Sequence, residues 1–328
     1  MRILFIGFFV GLLAACSDNS SVKKEIVNVD ALYKKYPDSV PFIIAHGNKM
    51  VDKYNFNAAL KDGAKAYRMQ PNNLDARFLY AMALNNRASR TVSDVINAQK
   101  HFQFIVKKEP KNLKALIALS STYSQQGDYE KAFKYINSVL KIDKHYRDAY
   151  IMKGTIYLSL GNNKLAKSSY QTALDQDPDF YEAALRLGLI YQSEKDPYCI
   201  EYFITATQLK PNDIEALYNL AFAYQEFNKN EEALATYRLM YKKDPSFAPS
   251  LFQQGYIKQF NQNQSDSAQF YYERCLANEP RYVEAWHNLG MIFGSKGDKL
   301  EAIKYYKNAV KYNKDFELSK TAITRLAK

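Results

Sequence analysis

Histidine and cysteine are the side chains that most readily hold a transition metal or attack an electrophile near neutral pH, and this chain has four of one and three of the other. His46, His101, His145 and His287 are scattered, with no His-Glu-x-x-His pair or other ligand spacing, so no metal site is expected. Cys199 and Cys275 lie far apart, at positions where the surrounding pattern calls for a small buried residue. They are expected to be core thiols, not a disulfide. The chain has neither a Gly-x-Ser-x-Gly nucleophile turn nor a phosphate-binding glycine loop. No catalytic residue and no cofactor are therefore expected, and the chemistry on offer is binding, not catalysis. The third cysteine, Cys16, has a context of its own: Met1-Arg2, an apolar stretch from Ile3 to Leu13, the small pair Ala14-Ala15, then a polar run from Ser17 to Ser21. The apolar stretch is too short to span a bilayer, which takes about 20 residues, and has the layout of a cleavable export signal.

The binding surface must be positioned by a pattern that fills most of the chain. A unit of about 34 residues recurs eight times between residues 40 and 316. The copies are 40–73, 74–112, 113–146, 147–180, 181–213, 214–247, 248–282 and 283–316. In the last of them Trp286, Leu289, Gly290, Phe293, Gly297, Ala302, Tyr306 and Ala309 stand at positions 4, 7, 8, 11, 15, 20, 24 and 27. This spacing predicts two helices, A and B, joined by a turn at position 15. Pro71, Pro110, Pro178, Pro211, Pro245 and Pro280 recur near position 32, where helix B must stop. Position 8 is glycine in five copies, which lets the two helices approach closely, whereas Gly63 and Gly294 find no reason in the pattern. Three copies depart from the common length, each between its helices. Five residues are added around Asn85 to Ser93, one is missing near Asp196-Pro197, and one is added near Asn261 to Ser265. The first insertion ends in Thr91-Val-Ser-Asp94, which reads as a capping box for helix B. Residues 16–39 read as a polar spacer with a short helix over Val29 to Tyr36. Residues 317–328 place Leu318, Ala322, Ile323 and Leu326 on one helical face, as a closing helix would.

The period and its anchor residues resemble the tetratricopeptide repeat. That resemblance implies an all-α, right-handed superhelical solenoid of helix-turn-helix units with a C-terminal capping helix, folding as one array. It also implies that positions 5 and 9 of helix A face a concave groove. Here those positions read Phe78 and Met82, Ile117 and Ser121, Ile151 and Thr155, Leu185 and Leu189, Tyr218 and Phe222, Phe252 and Tyr256, and His287 and Met291. Amide and hydroxyl side chains at positions 12 and 13, among them Asn85, Ser124, Gln192, Gln225 and Gln259, flank this apolar stripe. Two readings follow: a groove that takes an extended or helical segment of a partner protein, or ordinary packing between neighbouring helices. A third use of the same aromatic residues is a glycan or a lipid. No copy has lysine at position 5, so the carboxylate clamp of chaperone-binding members is not expected. His287 stands out as a polar group within the stripe.

Leu13-Ala14-Ala15-Cys16 resembles a bacterial lipobox, which implies cleavage before Cys16 and lipidation of its thiol. The resemblance places the mature protein on a membrane, with 1–15 as signal peptide. Ser17 rather than aspartate after the cysteine favours the outer membrane of a Gram-negative envelope, facing the periplasm more than the cell surface. The composition, rich in Lys, Asn and Tyr, is similar to that of Bacteroidota lipoproteins. The formal charge of +11 would suit nucleic acid, but export argues against that partner. The lysines fall mainly on B helices and turns, as a solvated face requires. The expected job is an adaptor or scaffold in the assembly of an envelope complex.

Overall fold

The computed structural model describes residues 28–327, and the chain divides into two compact units, residues 1–101 and 102–328. Cys16 and the stretch read as an export signal lie outside the described residues. Among the described residues there are eighteen α-helices, one π turn and no strand.

The first unit holds α1 (Val29–Lys35), α2 (Val40–Asp52), α3 (Phe56–Met69), α4 (Leu74–Asn86) and the start of α5 (Val92–Lys108). The side chains of Asn28, Asn55 and Asn73 each accept a hydrogen bond from the backbone N–H three residues on, so α1, α3 and α4 start where their caps stand. The capping box forms as its residues suggested. The Thr91 N–H donates to Asp94 Oδ2 at 2.7 Å and the Asp94 N–H to Thr91 Oγ1 at 3.2 Å, while Arg87 reaches the same carboxylate at 2.5 Å. Helix α1 falls inside the stretch read as spacer, yet it is packed. The Tyr33 ring stacks on His46 at 4.1 Å and its hydroxyl donates to the buried Asp62 at 2.9 Å, with His46 Nδ1 on the other oxygen of Asp62 at 2.6 Å. Gly63 also acquires a reason: a Cβ there would lie 2.7 Å from Tyr80 Cα, because α3 and α4 touch backbone to backbone.

The second unit repeats one arrangement. Its A helices are α6 (Leu113–Gln125), α8 (Arg147–Ser159), α10 (Tyr181–Ser193), α12 (Ile214–Glu226), α14 (Ala248–Tyr256) and α16 (Val283–Ser295). Its B helices are α7 (Tyr129–Ile142), α9 (Asn163–Gln176), α11 (Cys199–Leu209), α13 (Asn230–Lys243), α15 (Ser265–Asn278) and α17 (Lys299–Tyr312), followed by α18 (Glu317–Leu326). The core is shared between successive pairs. Phe203 and Cys199 of α11 pack with Leu185 of α10 and Leu220 of α12; Tyr272 and Cys275 of α15 pack with Leu251 of α14 and Leu289 of α16. No pair buries its apolar surface alone, so each needs the next: this is the all-α helix-hairpin array that the repeat implied. Burial pushes the Cys199 thiol up to about 11 and that of Cys275 up to about 12, so both stay protonated within the core.

Within a pair, position 8 is matched to position 24. A Cβ on Gly188 would fall 2.6 Å from the Phe203 ring, and one on Gly290 would fall 2.6 Å from that of Tyr306. Where position 8 carries Ser120, position 24 shrinks to Ile136, also fully buried. The turn residue is left-handed whether or not it is glycine: φ is +77 at Gly127 but also +56 at Lys195 and +59 at Asn228. Two expectations are corrected. The residue added to 248–282 does not sit in the inter-helix turn; α14 runs on as a π turn over Ile257–Asn261, whose wider ring of hydrogen bonds absorbs it. Leu318 does not join the apolar face of α18. It is 64% exposed, while Ala322, Ile323 and Leu326 pack with Ala302, Tyr306 and Phe293. The inward place is taken by Ser319, which bonds to His287.

Candidate binding cleft

The A helices carry the groove-facing residues, and α12 and α14 carry the largest of them. On α12, Tyr218 and Phe222 are one turn apart with their rings parallel, 6.1 Å between centroids. On α14, Phe252 and Tyr256 stand 6.4 Å apart, and Phe260 in the π turn follows Tyr256 at 4.7 Å. Phe222, Phe252, Tyr256 and Phe260 line a cleft of about 470 Å³ whose polar lining is Gln225, Glu226, Gln253 and Asn261. The amides are held in place from below. Tyr237 donates its hydroxyl hydrogen to Gln225 Oε1 at 3.2 Å, Gln225 Nε2 donates to Gln253 Oε1 at 3.2 Å, and Gln253 Nε2 donates to the Tyr218 hydroxyl at 3.3 Å. Glu226 accepts from a neutral partner, Gln192 Nε2, at 2.6 Å. Burial raises the phenol of Tyr237, so it remains a neutral donor at any working pH.

The rest of the stripe divides by position. Position 5 turns toward the next pair: Phe252 is only 9% exposed and stacks on Tyr282 at 4.8 Å, and Leu185 is buried in the core. Ile117, Ile151 and Tyr218 are half-buried among core neighbours. Position 9 is the open one. Tyr256 is 38% exposed, Met291 is exposed too, and Phe222 and Leu189 are half-buried. In the first unit Phe78 and Met82 are both half-buried. His287 is half-buried and already engaged. Its Nδ1 bonds to Ser319 Oγ at 2.9 Å, its ring meets Tyr306 and Phe316, and burial lowers its basicity. Phe260 was missed by the sequence reading, although it stands four residues beyond Tyr256, on the same face of a helix.

Elsewhere the histidines are structural. Burial, reinforced by the charge of Arg77, pushes His101 down to about 4; Arg77 donates to its Nδ1 at 3.1 Å, and its edge meets Tyr67 and Tyr80. The His145 Nδ1–H donates to Gln176 Oε1 at 2.6 Å. No group of three His, Cys, Asp or Glu residues able to hold a metal occurs among the described residues. Nor is any described helix long and apolar enough to cross a membrane. The first unit has a cleft of its own, about 540 Å³, floored by Tyr67 and Tyr80 with their rings stacked at 5.5 Å and edged by Lys61 and Arg68.

Models of the tetratricopeptide repeat match residues 123–186, 215–246 and 283–316. Among curated relatives, the chain is 25% identical over 217 residues to the RNA polymerase-associated protein CTR9 of Caenorhabditis elegans, covering 64% of this chain and 19% of that one. It is 27% identical over 157 residues to the TPR repeat-containing protein YpiA of Bacillus subtilis, covering 47% and 37%. The chain thus spans less than half the length of these relatives. Among solved structures, the C-terminal part of a TPR repeat-containing protein from Cytophaga hutchinsonii shares the fold, with a TM-score of 0.62 at 17% identity over 75% of this chain and 99% of that one.

Proposed function

On the premise that this is a tetratricopeptide-repeat protein, we propose that it is a non-catalytic scaffold that holds a segment of partner protein in the cleft between α12 and α14. One observation carries this reading: large aromatic side chains, Tyr256 at 38% and Phe260 at 43% exposure, stand open beside amides that are already fixed in orientation. Rings of that kind supply the anchors of a protein interface, and held amides supply hydrogen bonds to an extended backbone at little entropic cost.

Its address is a further part of the proposal. The export signal followed by Cys16 supports lipidation of that thiol and tethering to the outer membrane, periplasm-facing, where a scaffold would serve the assembly of an envelope complex. A glycan could stack on the same two rings, and the experiment separates the cases. Tagged full-length protein is crosslinked in cells and recovered beside a Cys16→Ala variant and a Tyr256→Ala, Phe260→Ala double variant. Recovery of one dominant envelope protein, lost in the double variant, supports the scaffold. Partner recovery that ignores the double variant, or saccharide binding with no protein recovered, would refute it. Membrane retention of Cys16→Ala with unchanged acyl labelling would refute the anchor alone.

A further inference from the structure

We infer that the occupant of the cleft between α12 and α14 is an arginine side chain projecting from the partner segment, an inference that rests on the scaffold reading above. In a chain with 45 basic and 34 acidic residues, this is a place where the balance is reversed. Among the described residues the lining has one carboxylate, Glu226, and no basic side chain. Lys258, on the π turn, is directed elsewhere, with its Nζ on Gln262 Oε1 at 2.7 Å.

Three features of the cleft favour a cation, and they arise independently. The rings of Phe222, Tyr256 and Phe260 line it, and a cation over an aromatic face is attracted by the ring quadrupole. The cleft also lies at the C-terminal ends of α12, which finishes at Glu226, and of the α14 helix with its π turn, which finishes at Asn261. Helix C-termini carry partial negative charge; α12 has no basic residue in its last turn to offset it, whereas Lys258 stands in the last turn of the π segment. Glu226 then adds a full charge beside the rings. Arginine fits better than lysine because its planar guanidinium stacks on an aromatic face while its edge donates two hydrogen bonds to one carboxylate. Lysine offers a compact, more strongly hydrated charge that does neither as well.

The test is saturation-transfer NMR on the full-length protein with N-acetyl-arginine methylamide, its uncharged isostere N-acetyl-citrulline methylamide, N-acetyl-leucine methylamide and diacetylchitobiose. The arginine amide should bind at least about fivefold more tightly than the citrulline amide, with Glu226→Gln removing most of that preference. Phe260→Ala should abolish the transfer; Phe260→Leu, which keeps apolar volume but not the π face, should weaken it as well and guards against a folding effect. Equal binding of citrulline or leucine, or saturation of the disaccharide alone, overturns the inference. If a partner protein is captured through Tyr256 and Phe260 while the arginine amide does not bind, the scaffold stands and only this occupant is wrong.

Discussion

The matching of position 8 to position 24 can be tested by a double-mutant cycle at Gly188 and Phe203. Phe203 is fully buried, and a methyl on Gly188 would sit 2.6 Å from two atoms of its ring, about 1 Å inside contact distance. Overpacking of this kind costs about 1–3 kcal/mol, offset by up to about 1 kcal/mol from removing a glycine inside a helix. Gly188→Ala should therefore destabilise by about 1–2 kcal/mol. Phe203→Leu alone opens space and should cost about 1–2 kcal/mol. In the Phe203→Leu background the new methyl enters that space, and Gly188→Ala should become neutral or stabilising by about 0.5 kcal/mol. The coupling between the two sites is then about 1–2.5 kcal/mol, read from urea denaturation followed by far-UV circular dichroism. Additive costs, within about 0.5 kcal/mol, would show that the ring has room to move and that the pairing is coincidence.

Further expectations follow from single sites. Lys195 is exposed and held at φ +56, so Lys195→Gly should stabilise by about 0.5–1 kcal/mol in the same assay, while Gly161→Ala at φ +72 should cost about 1 kcal/mol. Asp94 caps α5 and pairs with Arg87, so Asp94→Ala should cost about 1–2 kcal/mol and Asp94→Asn, which keeps a cap, distinctly less. His101 is held near 4 in the fold against 6.5 when free. Between those values the unfolded chain takes up a proton that the folded chain refuses, so stability falls as pH drops through that window. The loss from pH 7 to pH 5 should be about 1 kcal/mol after allowance for solvent screening at this half-buried ring. Denaturation curves at the two pH values should lie closer together in His101→Gln than in the parent, with the buried His287 keeping a remainder of the same sign.

The recurring helix pairs and the all-α fold class were legible because the same constraint is written many times. Each proline near position 32 follows the end of a B helix, as Pro178 follows α9 and Pro245 follows α13. The capping box at Thr91 and Asp94 was legible because a cap is decided by residues adjacent in sequence. The function of Gly63 was not, since the atom it avoids belongs to Tyr80 on another helix. The extra residue of 248–282 could be counted but not placed: a π turn and a longer loop accommodate the same insertion, and the packing of Ile257 in the core with Tyr237 selects the first. His287 looked available because its position faces a groove in most copies, yet here it is the last A helix and α18 closes over it.

Local periodicity determined that the helices come in pairs, most of their apolar faces and most of their ends, though not the end of α14 or the exposure of Leu318. These are short-range properties, set by residues within one or two turns. Whether an apolar residue on the groove face stays open depends on how far the next pair reaches over it. Phe252 at position 5 is covered by Tyr282, while Tyr256 one turn later and Phe260 beyond it are left exposed beside Glu226. That difference is made by side chains from separate helices meeting in space, so it was settled by the tertiary structure and by nothing in the local pattern.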